Sequence, residues 1–129
     1  MKSIDEIASM VVDCAFKVHQ ELGPGLLESA YEACLAHELT KRGLVVEKQK
    51  TQPVFYDGIN IDVGYRMDLL VNDSIVIELK AVDQIIPIHQ AQLMTYLKLS
   101  NKPLGFLINF NTTYFKSSIK RIANNYQES

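Results

Sequence analysis

The stretch "YRMDLLVNDSIVIELKAV", residues 65–82, decides how this chain is read. Two apolar runs flank Asn72-Asp73, residues that favour turns, and so predict a pair of neighbouring strands. The second run carries Ile75, Val76, Ile77, Leu79, Ala81 and Val82, a strand suited to an interior, yet Glu78 and Lys80 stand inside it. Side chains alternate along a strand, so these two charges share a face, about 7 Å apart. Asp68 lies on the preceding strand. In an antiparallel pair, directly opposed residues share a face. A three-residue loop, Asn72-Asp73-Ser74, sets Val71 opposite Ile75 and Asp68 opposite Glu78. A two-residue turn sets Asp68 opposite Ile77 and separates the carboxylates.

Outward from this pair, residues 4–22 place Ile4, Ile7, Ala8, Val11, Ala15, Val18 and Leu22 on one helical stripe, with Ser3 and Glu6 as a capping box. Gly23-Pro24-Gly25 breaks the chain. A second helix is expected from about Leu26 to Arg42, ended by Gly43. "LVVEKQK" (44–50) reads as a strand, and "TQPVFY" and "INIDVGY" flank the hairpin signal Asp57-Gly58. Pro87 opens a third helix to about Leu99, "PLGFLINF" (103–110) is an apolar strand, and "SSIKRIANNY" reads as a C-terminal helix. The expected fold class is α/β, with a central mixed sheet flanked by helices in three layers.

The 129 residues suit one domain, 1–129, and 47% hydrophobic content is enough for a core. A net charge of −2 does not suit non-specific coating of nucleic acid, which needs clustered positive charge. Cys14 and Cys34 fall on predicted helices, are not spaced as metal ligands and read as two buried free thiols in a reducing cytoplasm. No apolar run reaches membrane-spanning length, so no membrane role is expected.

Two carboxylates meeting on a sheet face repel each other, and a cation must neutralise them. Lys80 supplies one positive charge. A hard divalent ion such as Mg²⁺ prefers such oxygens, and it can activate water and stabilise a phosphodiester under attack. Taken alone, Glu-x-Lys on a strand face usually marks two solvated neighbours.

Asp68…Glu78-Leu79-Lys80 resembles the core of the PD-(D/E)XK nuclease superfamily. Gly25-Leu-Leu-Glu28-Ser-Ala-Tyr31 is similar to the signature of the GxxExxY protein family, a branch of it, and Gln92-Leu-Met-Thr-Tyr96 resembles the Q-x-x-x-Y element of RecB-like nucleases. The leading proline is absent, since Met67 precedes Asp68.

The resemblance implies a restriction-endonuclease fold and a Mg²⁺- (or Mn²⁺-) dependent deoxyribonuclease. It makes Glu28, Asp68, Glu78 and the Leu79 carbonyl metal ligands, and Lys80 the catalytic lysine. Gln92 and Tyr96 would line the site. Arg66 and Tyr31 are candidate substrate contacts, with a surface salt bridge and a core aromatic as their alternatives. His89 reads as a helix-face histidine, and His19 and His37 as structural or exposed. Lys48 and Lys50, and the group Lys116, Lys120 and Arg121, could track a nucleic-acid backbone or simply be solvated. A domain this small covers little duplex, so a homodimer or a partner protein is expected. The alternatives are a catalytically silent nuclease-fold module that binds nucleic acid or a protein, and an α/β domain whose acids never meet.

Overall fold

The computed structural model describes residues 2–126. Its elements are, in order, α1 (Ile4–Leu22), α2 (Glu28–Lys41), β1 (Val46–Thr51), β2 (Val54–Tyr56), β3 (Ile59–Ile61), β4 (Arg66–Val71), β5 (Ile75–Lys80), α3 (Pro87–Ser100), β6 (Leu104–Asn109) and β7 (Ile119–Ala123), with a 3₁₀ turn at Phe115–Ser117. Five strands form one sheet in the order β1-β4-β5-β6-β7, and β2 and β3 form a separate two-stranded sheet. Only β5 and β6 run parallel in the larger sheet, and α3 is the crossover between them.

β5 sits at the centre and is buried on both faces, which is why it reads as a continuous apolar run rather than an alternation. Ile75, Ile77 and Leu79 pack toward the α1 and α2 layer with Val11, Leu35 and Leu39. Val76 turns the other way and packs with Leu93, Tyr96 and Leu97 of α3. The architecture is therefore the three-layer α/β arrangement of the restriction-endonuclease-like fold. The loop after β4 has three residues, with Val71 opposite Ile75, and Asn72 and Asp73 are both left-handed (φ 49° and 53°). Asn and Asp tolerate that conformation better than other non-glycine residues. Ser3 and Glu6 form the expected capping box at α1.

The expected C-terminal helix is not there. Ile119–Ala123 is a strand, antiparallel to β6 from Leu104↔Ala123 to Ile108↔Ile119. Ile119 and Ile122 are three apart, a helical spacing, but the open edge of buried β6 offers unpaired backbone groups whose satisfaction outweighs local preference. α2 begins at Glu28, two residues later than expected, with Leu27 at its N-cap. Cys14 is buried and Cys34 only half-buried, and both are free. No helix among the described residues is long and apolar enough to cross a membrane.

α3 packs tightly on the sheet over Gly105. A Cβ added there would lie 3.0 Å from Leu93 Cδ1 and 3.1 Å from the Val76 carbonyl oxygen. Gly105→Val is expected to cost about 1–3 kcal/mol through overpacking. Urea unfolding checks this, and an unchanged midpoint would show that α3 can move aside.

Candidate active site

The site arises where β4 and β5 part. Their ladder runs Val71↔Ile75, Leu70↔Val76, Leu69↔Ile77 and then stops. The three-residue loop sets this register as expected, but it is not carried as far as Asp68; Glu78 is related to Asp68 through the influence of that carboxylate on it. Beyond that point side chains replace backbone acceptors. The Leu79 amide donates to Asp68 Oδ2 at 2.8 Å, and the Ala81 amide donates to Glu28 Oε1 at 3.2 Å. Hydrogen bonds to a carboxylate are stronger than those to a carbonyl, so the fork holds without a ladder. A strand residue turns its N–H and C=O to the same side, so the Leu79 carbonyl also faces the gap. Glu28, Ser29, Glu32, Gln49, Asp68 and Leu79 line a cavity of about 300 Å³ there.

Glu28 reaches β5 because the loop before it is stapled. The Tyr31 hydroxyl donates to the Gly23 carbonyl and accepts from the Leu26 amide at 3.1 Å. Gly25 takes φ 106°, a conformation that side chains disfavour. The Tyr31 ring is fully buried and stacks on Phe110 at 4.5 Å. Tyr31, named above as a candidate substrate contact, thus has the surroundings of the core aromatic that was its alternative. Its hydroxyl is committed to the loop and its ring to the core.

On the α3 side, Glu78 is 5% exposed and its Oε1 has no hydrogen-bond partner. Burial, and next the neighbouring Asp68 carboxylate, push its pKa up to about 9, with Lys80 acting in the opposite direction. Tyr96 belongs to the same surroundings. Burial, then Glu78, Tyr65 and Asp68, raise its hydroxyl to about 12, and Gln92 Nε2 donates to that hydroxyl at 3.3 Å. Arg66 stands exposed at the end of β4, where Nη1 donates to Thr51 Oγ1 at 3.0 Å. His89 accepts the Ile86 amide proton on Nδ1 at 3.1 Å and so caps α3. His19 contacts the Thr112 carbonyl through Nε2 at 2.7 Å. Lys50 pairs with Glu47 at 3.6 Å, and Arg121 lies over the Tyr126 ring.

The three expected acids do not form one cluster. No three His, Cys, Asp or Glu side chains among the described residues are grouped so as to hold a metal ion. Asp68 and Glu78 adjoin, but Glu28 is tied to the Ala81 amide just past the end of β5, two residues and about 7 Å beyond the amide that Asp68 holds.

Three polar residues enter that were not expected. Gln49, with φ 53°, donates through Nε2 to Glu32 Oε1 and to Asp68 Oδ1, the latter at 3.3 Å. Asn109 brackets Val82, donating to its carbonyl at 2.9 Å and accepting from its amide at 3.1 Å. It thereby fixes the end of β5 beyond the ladder. Glu32 was legible as the residue four after Glu28, on one helix face. Gln49 and Asn109 carried no local signal.

A model of the PD-(D/E)XK nuclease superfamily matches residues 5–122. The chain belongs to this superfamily. The match takes in α1 through β7, and with them the β4–β5 fork and every acid discussed above. No curated protein and no solved structure matches the chain. Membership in the PD-(D/E)XK superfamily gives nuclease-type chemistry, generally supported by divalent metals, a context in which a fork of carboxylates is intelligible.

Two outcomes are expected. Tyr31→Phe removes the loop staple and should cost about 1–2 kcal/mol, measured by thermal or urea unfolding. Glu78 has a folded pKa raised above its ordinary value of 4.5, so it stays protonated in the native state while the unfolded chain ionises. Its stabilising contribution is whole below pH 4.5 and is lost as pH rises toward 9. In EDTA, Glu78→Gln should be more stable than wild type at pH 8–9 and flatten this decline. Parallel profiles for the two proteins would refute the assignment.

Proposed function

We propose that this protein is a metal-dependent nuclease that hydrolyses DNA phosphodiester bonds at the β4–β5 fork. The observation that supports it best is the pair of adjoining carboxylates, Asp68 and Glu78, with a buried Glu78 oxygen left without a partner. A buried unpartnered oxygen is costly, and a cation would satisfy it. Two carboxylates and the Leu79 carbonyl are a hard-oxygen donor set that suits Mg²⁺ or Mn²⁺. Mg²⁺ keeps several of its waters, so a third directly bound acid is not required. In this reading Asp68, Glu78 and Leu79 would hold the ion, and Glu28 would support it from the far side of the gap through water. When bound, such an ion polarises a phosphate oxygen and lowers the pKa of water.

The remaining roles belong to the chain. Lys80, on the Glu78 face, orients the attacking water and offsets negative charge developing on the phosphate. Tyr96, whose hydroxyl keeps its proton to about pH 12, donates toward the phosphate, and Gln92 fixes the direction of that hydroxyl. Arg66, exposed two residues before Asp68, meets a flanking phosphate. Gln49 holds Asp68 from the β1 side. The enzyme is taken to act in the cytoplasm, which suits its free cysteines, and as a homodimer or with a partner protein, since its own surface covers little duplex.

The test is cleavage of linear, circular, branched and single-stranded DNA with Mg²⁺, Mn²⁺ or Ca²⁺. Lys80→Ala and Asp68→Ala should each lower the rate by at least about 100-fold. Mn²⁺ binding should be lost in Asp68→Ala and kept in Lys80→Ala. Cleavage by Lys80→Ala at the wild-type rate would sink the proposal.

A further inference from the structure

Tyr65 precedes β4, at the end where β4 and β5 have parted. Its carbonyl accepts from the Gln52 amide at 2.8 Å, which fixes its backbone to the β1 side. Its ring is 46% exposed and adjoins that of the buried Tyr96, with centroids 6.2 Å apart and planes tilted by 54°. Among the described residues this is the ring contact Tyr65 makes, so much of the ring stays open. Burial first, then Glu78, Tyr65 and Asp68, raise the Tyr96 hydroxyl, so Tyr65 and both carboxylates stand near one group.

The charges around it say which ligand suits this ring. Duplex DNA is held chiefly by cations on its phosphates. β4 and β5 offer Arg66 and Lys80, and β1 adds Lys48 and Lys50, the latter paired with Glu47. Against them stand Glu28, Glu32, Asp68 and Glu78. Residues 53–65, which lead up to Tyr65, contain Asp57 and Asp62 and no Lys, Arg or His. On α3, Ile88, Gln92 and Tyr96 are four apart, share one face and carry no charge, and Ile88 is exposed. Lys98, two residues after Tyr96, lies on another face. Phosphate contacts alone therefore suit these surroundings poorly. An unpaired base gains affinity by stacking on an aromatic ring, which needs no charge.

We infer that Tyr65 is a substrate-binding residue: its open ring stacks on an unpaired base next to the phosphate under attack, so that the site takes single-stranded DNA in preference to intact duplex. Because the two tyrosine rings adjoin, a phosphate at the Tyr96 hydroxyl sets the neighbouring base beside Tyr65. The inference rests on the nuclease reading above and names its substrate class. It is tested by binding, without cleavage, so either can fail alone.

The test is fluorescence anisotropy of labelled oligonucleotides with Ca²⁺ in place of Mg²⁺. The ligands are a single strand of about 15 nucleotides, the same strand with abasic sites, and a duplex of that sequence closed by a loop at each end. Wild type should bind the single strand at least about 10-fold tighter than the closed duplex, and Tyr65→Ala should weaken single-strand binding at least about 5-fold and duplex binding less than about twofold. Tyr65→Phe should stay within about twofold of wild type, because the ring and not the hydroxyl does the stacking. The chain has no tryptophan, so the emission of Tyr65→Trp reports this position alone. The single strand should quench it and the abasic strand should not. If Tyr65→Ala shifts the unfolding midpoint, this emission decides. The inference is overturned by a wild type that binds the closed duplex as tightly as the single strand, or binds neither. It is equally overturned by a folded Tyr65→Ala with wild-type affinity, or by Tyr65→Trp emission that ignores the single strand. Binding that depends on Tyr65 in a protein that cuts nothing would keep this inference and sink the nuclease reading.

Discussion

The structure depends on one substitution of partners: an aspartate carboxylate stands where a strand carbonyl would otherwise be. Asp68 takes the Leu79 amide, and Glu28 takes the Ala81 amide. A sheet that opens in its middle normally leaves amides unsatisfied, at a cost that excludes the arrangement. Here the opening is stable because acids supply the acceptors. The same acids then line the gap they hold open. Structural need and chemical capacity are therefore met by the same oxygens, and a single change at Asp68 affects both.

The support for that opening is spread over distant parts of the chain. Tyr31 and Gly25 shape the loop that aims Glu28. Phe110 braces Tyr31 from the far end of β6, and Asn109, one residue earlier, clamps Val82. Gln49 reaches Asp68 from β1. The fork is thus fixed from α2, β1 and β6 together. Each element contributes through a side chain whose own position is set by packing or hydrogen bonding, which is what a precise arrangement of charges requires.

Much of this was legible. The run Ile75–Leu79 without alternation marks a strand covered on both faces, and Asn72-Asp73 and Asp57-Gly58 mark turns whose left-handed residues the structure contains. The odd-numbered loop carried the register as far as Leu69 and Ile77, because parity decides which side chains share a face; past that point the ladder stops at Asp68. Gln49 could not be read this way. It lies in a polar strand whose neighbours are exposed, and nothing local announces its left-handed backbone or its reach to Asp68. Asn109 hides inside an apolar run. The C-terminal strand has a spacing that suits a helix, and only the vacant side of β6, a non-local fact, makes it a strand. Glu28 was correctly placed at a helix start. Its separation from Asp68 and Glu78 depends on which β5 amide it meets, and that is a tertiary matter.

The staple at Tyr31 bears on how signatures of this kind are used. Two of the three residues in Gly25-x-x-Glu28-x-x-Tyr31 serve the shape of a loop, and only the middle one can reach the gap. In this chain the glycine and the tyrosine therefore belong to the architecture, and the acid between them alone belongs to the gap. The pattern thus records a bend in the backbone before it records any chemistry, and the chemistry has to be read from the carboxylates and the lysine, one by one.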